Sequence, residues 1–310
     1  MTMKKIISFL ALSLVFVSCQ NKDLDYRFKP HTDRGEVDIR IHWAAGVTPP
    51  EAYGMRVNLF ALSEHPSYGM DDVSCHGTTV VLPYNSTHRT YAYSYRGNNI
   101  YFRQQLDRTN IEAYCSPMTR ATYTRAYPDE TTTVEPSGFF YVGSHSSYVV
   151  LKDEPERVID VYPDNKLVTY TFEVRNVKGS QFIVDTRGAI SGMSSSYFIG
   201  QDRLSDRPST VLFEARTDVP TDRIVGSFKT FGRLNALNNF TIELLFPSRT
   251  NGIMLRSWDV TSQIDDGINR HIIIEDSGID VPDEGGEETG GNGGWDVDLG
   301  DWEDIIVPLG

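Results

Sequence analysis

Three cysteines in 310 residues are too few for a disulfide-built scaffold. Long apolar runs are scarce as well. The one sustained run, Ile6 to Val17, would be about 18 Å long as a helix, well short of the ~30 Å hydrocarbon core, which excludes a polytopic membrane protein. Lys and Arg are missing from residues 275–310, where twelve acids account for nearly all of the net charge of −13. The rest is close to neutral and has no concentrated basic face, which argues against nucleic acid as a partner. Catalytic signatures are absent too. There is no Gly-x-Ser-x-Gly elbow, phosphate-cradling Gly-x-x-x-x-Gly-Lys loop, His-Glu-x-x-His helix or Cys-x-x-Cys pair. The seven histidines, at 31, 42, 65, 76, 88, 145 and 271, lack the spacing that would set two metal ligands on one helical face. The sequence therefore predicts no enzyme, no cofactor and no metal site.

What is present is the composition of a globular protein, 39% hydrophobic and 23% charged. Lys4 and Lys5 ahead of the apolar run, with Ser18-Cys19 closing it, read as a signal peptide over residues 1–18. The end of the run, Phe16-Val17-Ser18-Cys19, resembles a lipobox, with Phe where Leu is commoner. That resemblance implies cleavage before Cys19 and lipidation of its thiol with acyl chains such as palmitate. Two or more such chains, at about 0.8 kcal/mol per buried methylene, hold a protein on a membrane without spanning it. The alternative is an ordinary secretory leader with an incidental cysteine. Residues 19–23 would form the tether, and Gln20 to Asp25 resembles the short acidic segment that sends Bacteroidetes lipoproteins to the cell surface. Cys75 and Cys115 then remain in an oxidising compartment, either as a disulfide or as two separate buried thiols.

Period-two alternation dominates the body, as in Val37-Ile39-Ile41-Trp43 and Val168-Tyr170-Phe172-Val174. Similar runs occur at Met55-Val57-Leu59, Tyr91-Tyr93-Tyr95, Phe240 to Phe246 and Ile272 to Ile274, with turn residues between them. One helix is expected over Arg103–Tyr114, from the spacing of Leu106, Ile111 and Tyr114. Many short strands without long helices predict an all-β chain of antiparallel sandwiches. The polar stretch Lys152 to Arg157 reads as a linker, giving an N-terminal sandwich over 24–153 and a C-terminal one over 154–282.

The strand Gly35 to Trp43 leading to Gly54-Met55-Arg56-Val57 resembles the Bacteroidetes fimbrillin superfamily. So does Leu167 to Val174 followed by Gly188-Ala189-Ile190-Ser191-Gly192-Met193 and Gly226 to Gly232. Within it the nearest likeness is to FimB-like fimbrial anchor lipoproteins and related Bacteroides lipoproteins of unknown function. The resemblance spans roughly residues 19–282 and implies two tandem transthyretin-like sandwiches, with other fimbrial subunits as partners through strand addition. Stalk subunits of that superfamily are cut after an Arg to open an acceptor groove. Arg27 and Arg34 lie in the corresponding region, whereas an anchor would keep its lipid and its N-terminus.

The C-terminus has its own logic. Residues 283–294 form an acidic linker, with six glycines between Gly285 and Gly294 that span about 17 to 19 Å as a flexible coil. Beyond it, residues 295–310 alternate: Trp295, Val297, Leu299, Ile305, Val307 and Leu309 share one parity, and Trp302 and Ile306 stand on the other. Each large side chain left in water forgoes roughly 1.5 to 3 kcal/mol, so this candidate donor strand should seek a groove, with Trp295, Val297, Leu299, Trp302, Ile305 and Val307 in its pockets. It could instead fold back on its own second domain or stay disordered. Asp296, Asp298, Asp301 and Asp304 lack the order of a helical calcium loop and read as a solvated face.

Two further segments were weighed. The stripe Tyr91-Tyr93-Tyr95 is either a sugar-stacking platform or a row packed over a core with its hydroxyls at the edge, and the second is favoured. Gly192 to Tyr197 reads as a loop without a nucleophile, because spacing places no base there. The expected protein is thus a non-enzymatic lipoprotein of the outer membrane, facing the cell exterior, that anchors or assembles a fimbria-like polymer. A surface glycan-binding sandwich, with a possible glycan partner, is the competing reading.

Overall fold

The computed structural model describes residues 33–49, 54–62, 68–96, 99–119, 130–234, 236–247, 252–283 and 305–306. The expected all-β class is what these residues form: two β-sandwiches joined by a small connecting sheet. The first sandwich opposes a three-stranded sheet, in the order Val158–Val161, Arg34–Ile41, Gly77–Pro83, to a five-stranded one. The latter runs Asp164–Asn165, Tyr141–Val149, Thr87–Tyr93, Met55–Ala61, Tyr68–Val73. Alternation decides which side faces inward. Val37, Ile39 and Ile41 point into the core with Val57, Leu59, Ile159 and Val161, while Arg34, Glu36 and Arg40 face water.

The second sandwich opposes Arg216–Asp218, Arg223–Thr230, Val168–Val174, His271–Ile274 to Gly252–Asp259, Asn239–Phe246, Asp185–Ser194, Pro208–Glu214, Thr131–Val134. Its core is aromatic. Phe213 stacks on Phe228 with ring centroids 4.3 Å apart, and Phe172 and Phe240 close the cluster at 5.4 and 5.8 Å from Phe213. Gly188, the partner of Phe213 across the ladder, makes room for its ring: a Cβ there would stand 2.0 Å from it.

Three expectations need correction. The division at 153/154 does not follow the sheets. Val158–Val161 pairs in parallel with Arg34–Ile41, and Asp164–Asn165 pairs with Tyr141–Val149, so the first sandwich continues to Asn165. The cause is the inward alternation of Ile159 and Val161, which makes the polar stretch before them a surface loop of the first sandwich. In the other direction, Thr131–Val134 leaves the first half of the sequence to join the second sandwich, parallel to Pro208–Glu214.

The helix expected over Arg103–Tyr114 is a hairpin, in which Ile100–Arg103 pairs with Glu112–Cys115. Gln104 turns the chain with φ 56°, and the Asp107 carboxylate accepts the N–H groups of Thr109 and Asn110 at 3.0 and 3.3 Å, so local side-chain bonds replace a helical ladder. Gly192 to Tyr197 is not a loop either. Gly192 to Ser194 ends one strand and Ser196–Phe198 forms another, and buried Ser194 donates to the carbonyls of Ser196 and Ser205 at 2.8 Å each. The α-helix among the described residues is the single turn Thr261–Ile264. No described helix is long and apolar enough to cross a membrane.

The hairpin 100–115 joins Ser196–Phe198 and Arg203–Leu204 in the connecting sheet. Ile111, Ala113 and Cys115 from it pack with Phe140, Tyr197 and Phe231, so an apolar cluster runs between the sandwiches. Tyr91 and Tyr93 belong to this cluster at 2% and 0% exposure, which makes these two of the stripe core, while Tyr95 packs against its edge half-buried, under the Arg56 guanidinium. The Tyr91 hydroxyl donates to the Gly200 carbonyl at 3.2 Å. Cys75 and Cys115 are both buried, and burial pushes the Cys115 thiol far above its ordinary value. The native protein should therefore resist alkylation at Cys115 at pH 8 and take up label there only on unfolding. Mass spectrometry of iodoacetamide-treated peptides checks this, and rapid native labelling of Cys115 would contradict it.

Candidate functional site

Of the candidate donor strand, Ile305 and Ile306 fall among the described residues, and both are strand. They pair antiparallel with Met118–Thr119, Ile305 opposite Thr119 and Ile306 opposite Met118. Trp295, Val297, Leu299, Trp302 and Val307 lie outside the described residues, as do Cys19, Arg27 and the acidic positions weighed for calcium. Among the described residues no group of three His, Cys, Asp or Glu side chains is placed to hold a metal ion.

Arg34 is described, as the exposed first residue of Arg34–Ile41. Cleavage after it would leave Gly35 to Ile41 hydrogen-bonded on both sides, to Gly77–Pro83 and to Val158–Val161, with Val37, Ile39 and Ile41 still buried.

The edge that meets Ile305–Ile306 is built from long-range contacts. Pro117 bridges to Thr133, and the Val134 N–H donates to the Ser116 carbonyl at 3.2 Å, so Met118–Thr119 lies beside Thr131–Val134 at the margin of the second sandwich. Met118 packs on Ala189 and Leu212, with Val134 against them, on the face of the sheet opposite the aromatic core.

Two carboxylates, the buried Glu130 and the half-buried Glu135, pin the ends of Thr131–Val134. Glu130 accepts the Thr210 hydroxyl at 2.7 Å and the Gly192 N–H at 3.2 Å. Glu135 accepts the Lys229 N–H at 3.0 Å, and its own N–H donates to the Leu212 carbonyl at 3.0 Å. Burial pushes both carboxyls above the ordinary value. Glu112 behaves differently. Burial would raise it, but hydrogen bonds from Arg103 at 2.6 and 2.7 Å and from Ser196 outweigh that and hold it low. Sequence reading missed all three, because an isolated Glu beside a strand carries no local signal; only the fold reveals what it meets.

A carboxyl whose folded pKa is raised holds more protons folded than unfolded as pH climbs from its ordinary value to the raised one, so stability falls over that window. Glu130→Gln should flatten the fall. The check is chemical denaturation from pH 4 upward. A steeper loss of stability with rising pH in the variant than in the parent would contradict the assignment.

The comparisons place this architecture among known proteins. A family model described as a domain of unknown function (DUF5119) matches residues 18–214. No curated protein matches the sequence. Among solved structures, a candidate adhesin from Bacteroides ovatus aligns with a TM-score of 0.63 at 20% identity, covering 80% of this chain and 92% of that one. A second candidate adhesin from Bacteroides ovatus aligns at 0.50 with 8% identity, covering 78% and 86%. The fimbrial anchor protein Mfa2 from Porphyromonas gingivalis covers 76% and 89% at 11% identity, with a TM-score of 0.47. At these identities the first two alignments establish the fold, the tandem sandwich arrangement expected from the fimbrillin-like strand patterns.

Proposed function

We propose that this chain, which belongs to the DUF5119 family of domains of unknown function, is a cell-surface lipoprotein that joins a fimbria-like polymer by lending its C-terminal strand. The observation that carries the reading is the alternation of residues 295–309 behind a glycine-rich linker. Ile305–Ile306, the described part of that segment, is extended, the conformation strand addition requires, and is laid against the chain's own Met118–Thr119 by two residues that a partner's longer edge would have to displace. Backbone pairing would supply affinity. Trp295, Val297, Leu299, Trp302, Ile305 and Val307 would set the register by filling alternate pockets. The acidic residues between them would keep the free segment soluble. Cleavage before Cys19 and lipidation of its thiol would hold the other end on the outer membrane, with the sandwiches facing outward. The partners are then other fimbrial subunits and the membrane, and the reading assigns the chain no chemistry.

The two ends are separately testable. Cys19→Ala should shift the protein from the membrane fraction to the soluble fraction and abolish incorporation of a palmitate analogue, while leaving the fold intact. Membrane retention with normal labelling in the variant would refute the anchor. Val297→Asp with Leu299→Asp should instead leave lipidation unchanged and remove the protein from sheared polymer fractions.

A further inference from the structure

A cleft of about 660 Å³ opens where Val168–Val174 meets the connecting sheet. Its floor holds Tyr170, a ring 4% exposed and stacked on Phe228 at 5.3 Å. No described residue hydrogen-bonds its hydroxyl, and the residue lines the cleft. Arg233 and Arg270 line the same cleft as Tyr170.

Most of the other charges in the wall are committed. Asp202 accepts from Lys166 at 2.9 Å and from the Tyr197 hydroxyl. Arg203 serves Gln201, the Leu204 carbonyl and Asp206. One oxygen of Asp266 accepts two N–H groups, from Ile268 and Asn269, at 2.8 Å each. Arg233 donates its Nε to Asn238 at 2.6 Å and its Nη1 to the Asp265 carbonyl at a long 3.5 Å, which leaves Nη2 for a ligand. The exposed Arg270 guanidinium has no hydrogen-bonded or ion-paired side chain among the described residues.

We propose that this cleft binds the carboxylate of an acidic saccharide. Arg270, Arg233 and the Tyr170 hydroxyl line one cleft and can each donate to a planar singly charged anion, which suits a guanidinium fork. Asp265 and the spare oxygen of Asp266 line the same cleft and accept hydroxyl groups. The three Arg and three Asp of the wall balance, so a doubly charged phosphate finds no excess of positive charge, whereas one carboxylate flanked by hydroxyls meets both kinds of partner. The volume exceeds that needed by a lone carboxylate and accommodates a sugar ring.

The test is calorimetric titration of the purified full chain with D-glucuronate, D-glucose and inorganic phosphate, repeated on Arg270→Gln and Tyr170→Phe. Tyr170→Phe keeps the ring stack and removes only an unpartnered hydroxyl, and Arg270 is exposed, so both variants should fold; circular dichroism confirms it. Glucuronate should bind about tenfold more tightly than glucose or phosphate. Arg270→Gln should remove about tenfold in affinity and Tyr170→Phe about threefold. Equal affinity for glucose, tighter binding of phosphate, unchanged affinity in both variants, or no binding of glucuronate at about 10 mM would each overturn the assignment. None of these outcomes bears on strand donation, which the polymer fractions read independently.

Discussion

Truncation after Gly294 is expected to yield a protein that folds, reaches the surface and melts within about 2 °C of the full chain, yet is missing from polymer. The reasoning begins with the cores. The hydrophobic clusters of the described residues draw on Val37 to Val281, and both sandwiches bury a continuous core from these residues. The described contact of the tail with the body is one two-residue ladder at a sheet margin, against Met118–Thr119. A short edge ladder contributes little, because backbone hydrogen bonds at a margin exchange with water at a net value of about 1 kcal/mol each. A partner's groove differs, since it would bury side chains at roughly 1.5 to 3 kcal/mol apiece that otherwise stand in water. Differential scanning calorimetry reads the first half of the expectation and immunoblotting of sheared polymer the second. A truncated protein that loses its fold would mean the segment completes its own sandwich.

Phe213→Ala should be the most damaging single substitution in the second sandwich. The ring is 2% exposed, stacks on Phe228, and meets Phe172 and Phe240 at centroid distances near 5 to 6 Å. Truncating a buried Phe to Ala costs about 3 to 5 kcal/mol, because the cavity adds to the lost transfer energy. Here Gly188 lies directly beneath the ring and offers no side chain to fill the hole. For a domain of this size the loss corresponds to a fall of about 10 °C or more in melting temperature, read by calorimetry or near-ultraviolet circular dichroism. A change under about 1 kcal/mol would show that the aromatic cluster collapses around the gap.

Local alternation made the strands legible. Val37-Ile39-Ile41, Tyr170-Phe172-Val174 and Phe240-Ile242-Leu244 each bury the face that their spacing indicates. Where partners are distant, the pattern said nothing. Thr131–Val134 is polar and β-branched, with no apolar alternation, and its place in the second sandwich depends on carboxylates at its ends finding Thr210, Gly192 and Lys229. The helix expected over Arg103–Tyr114 failed for a related reason. Leu106, Ile111 and Tyr114 satisfied a helical spacing, but Asp107 captured the turn and Arg103 met Glu112 across a ladder. Tyr170 was legible as a core residue. That it would line one cleft with Arg233 and Arg270 depends on three separate strands and turns and leaves no trace in any window of sequence.

The most direct test of the central claim is photo-crosslinking from position 299 in living cells, with a photoreactive amino acid replacing Leu299 in the full lipoprotein. Strand donation requires adducts that join this chain to a second subunit, at residues of that subunit's sheet edge, with yield lost when Val297 and Ile305 are also changed to Asp. Adducts confined to the chain's own residues near Met118–Thr119, with no intermolecular product, would contradict it and make the C-terminal segment an edge strand of its own body.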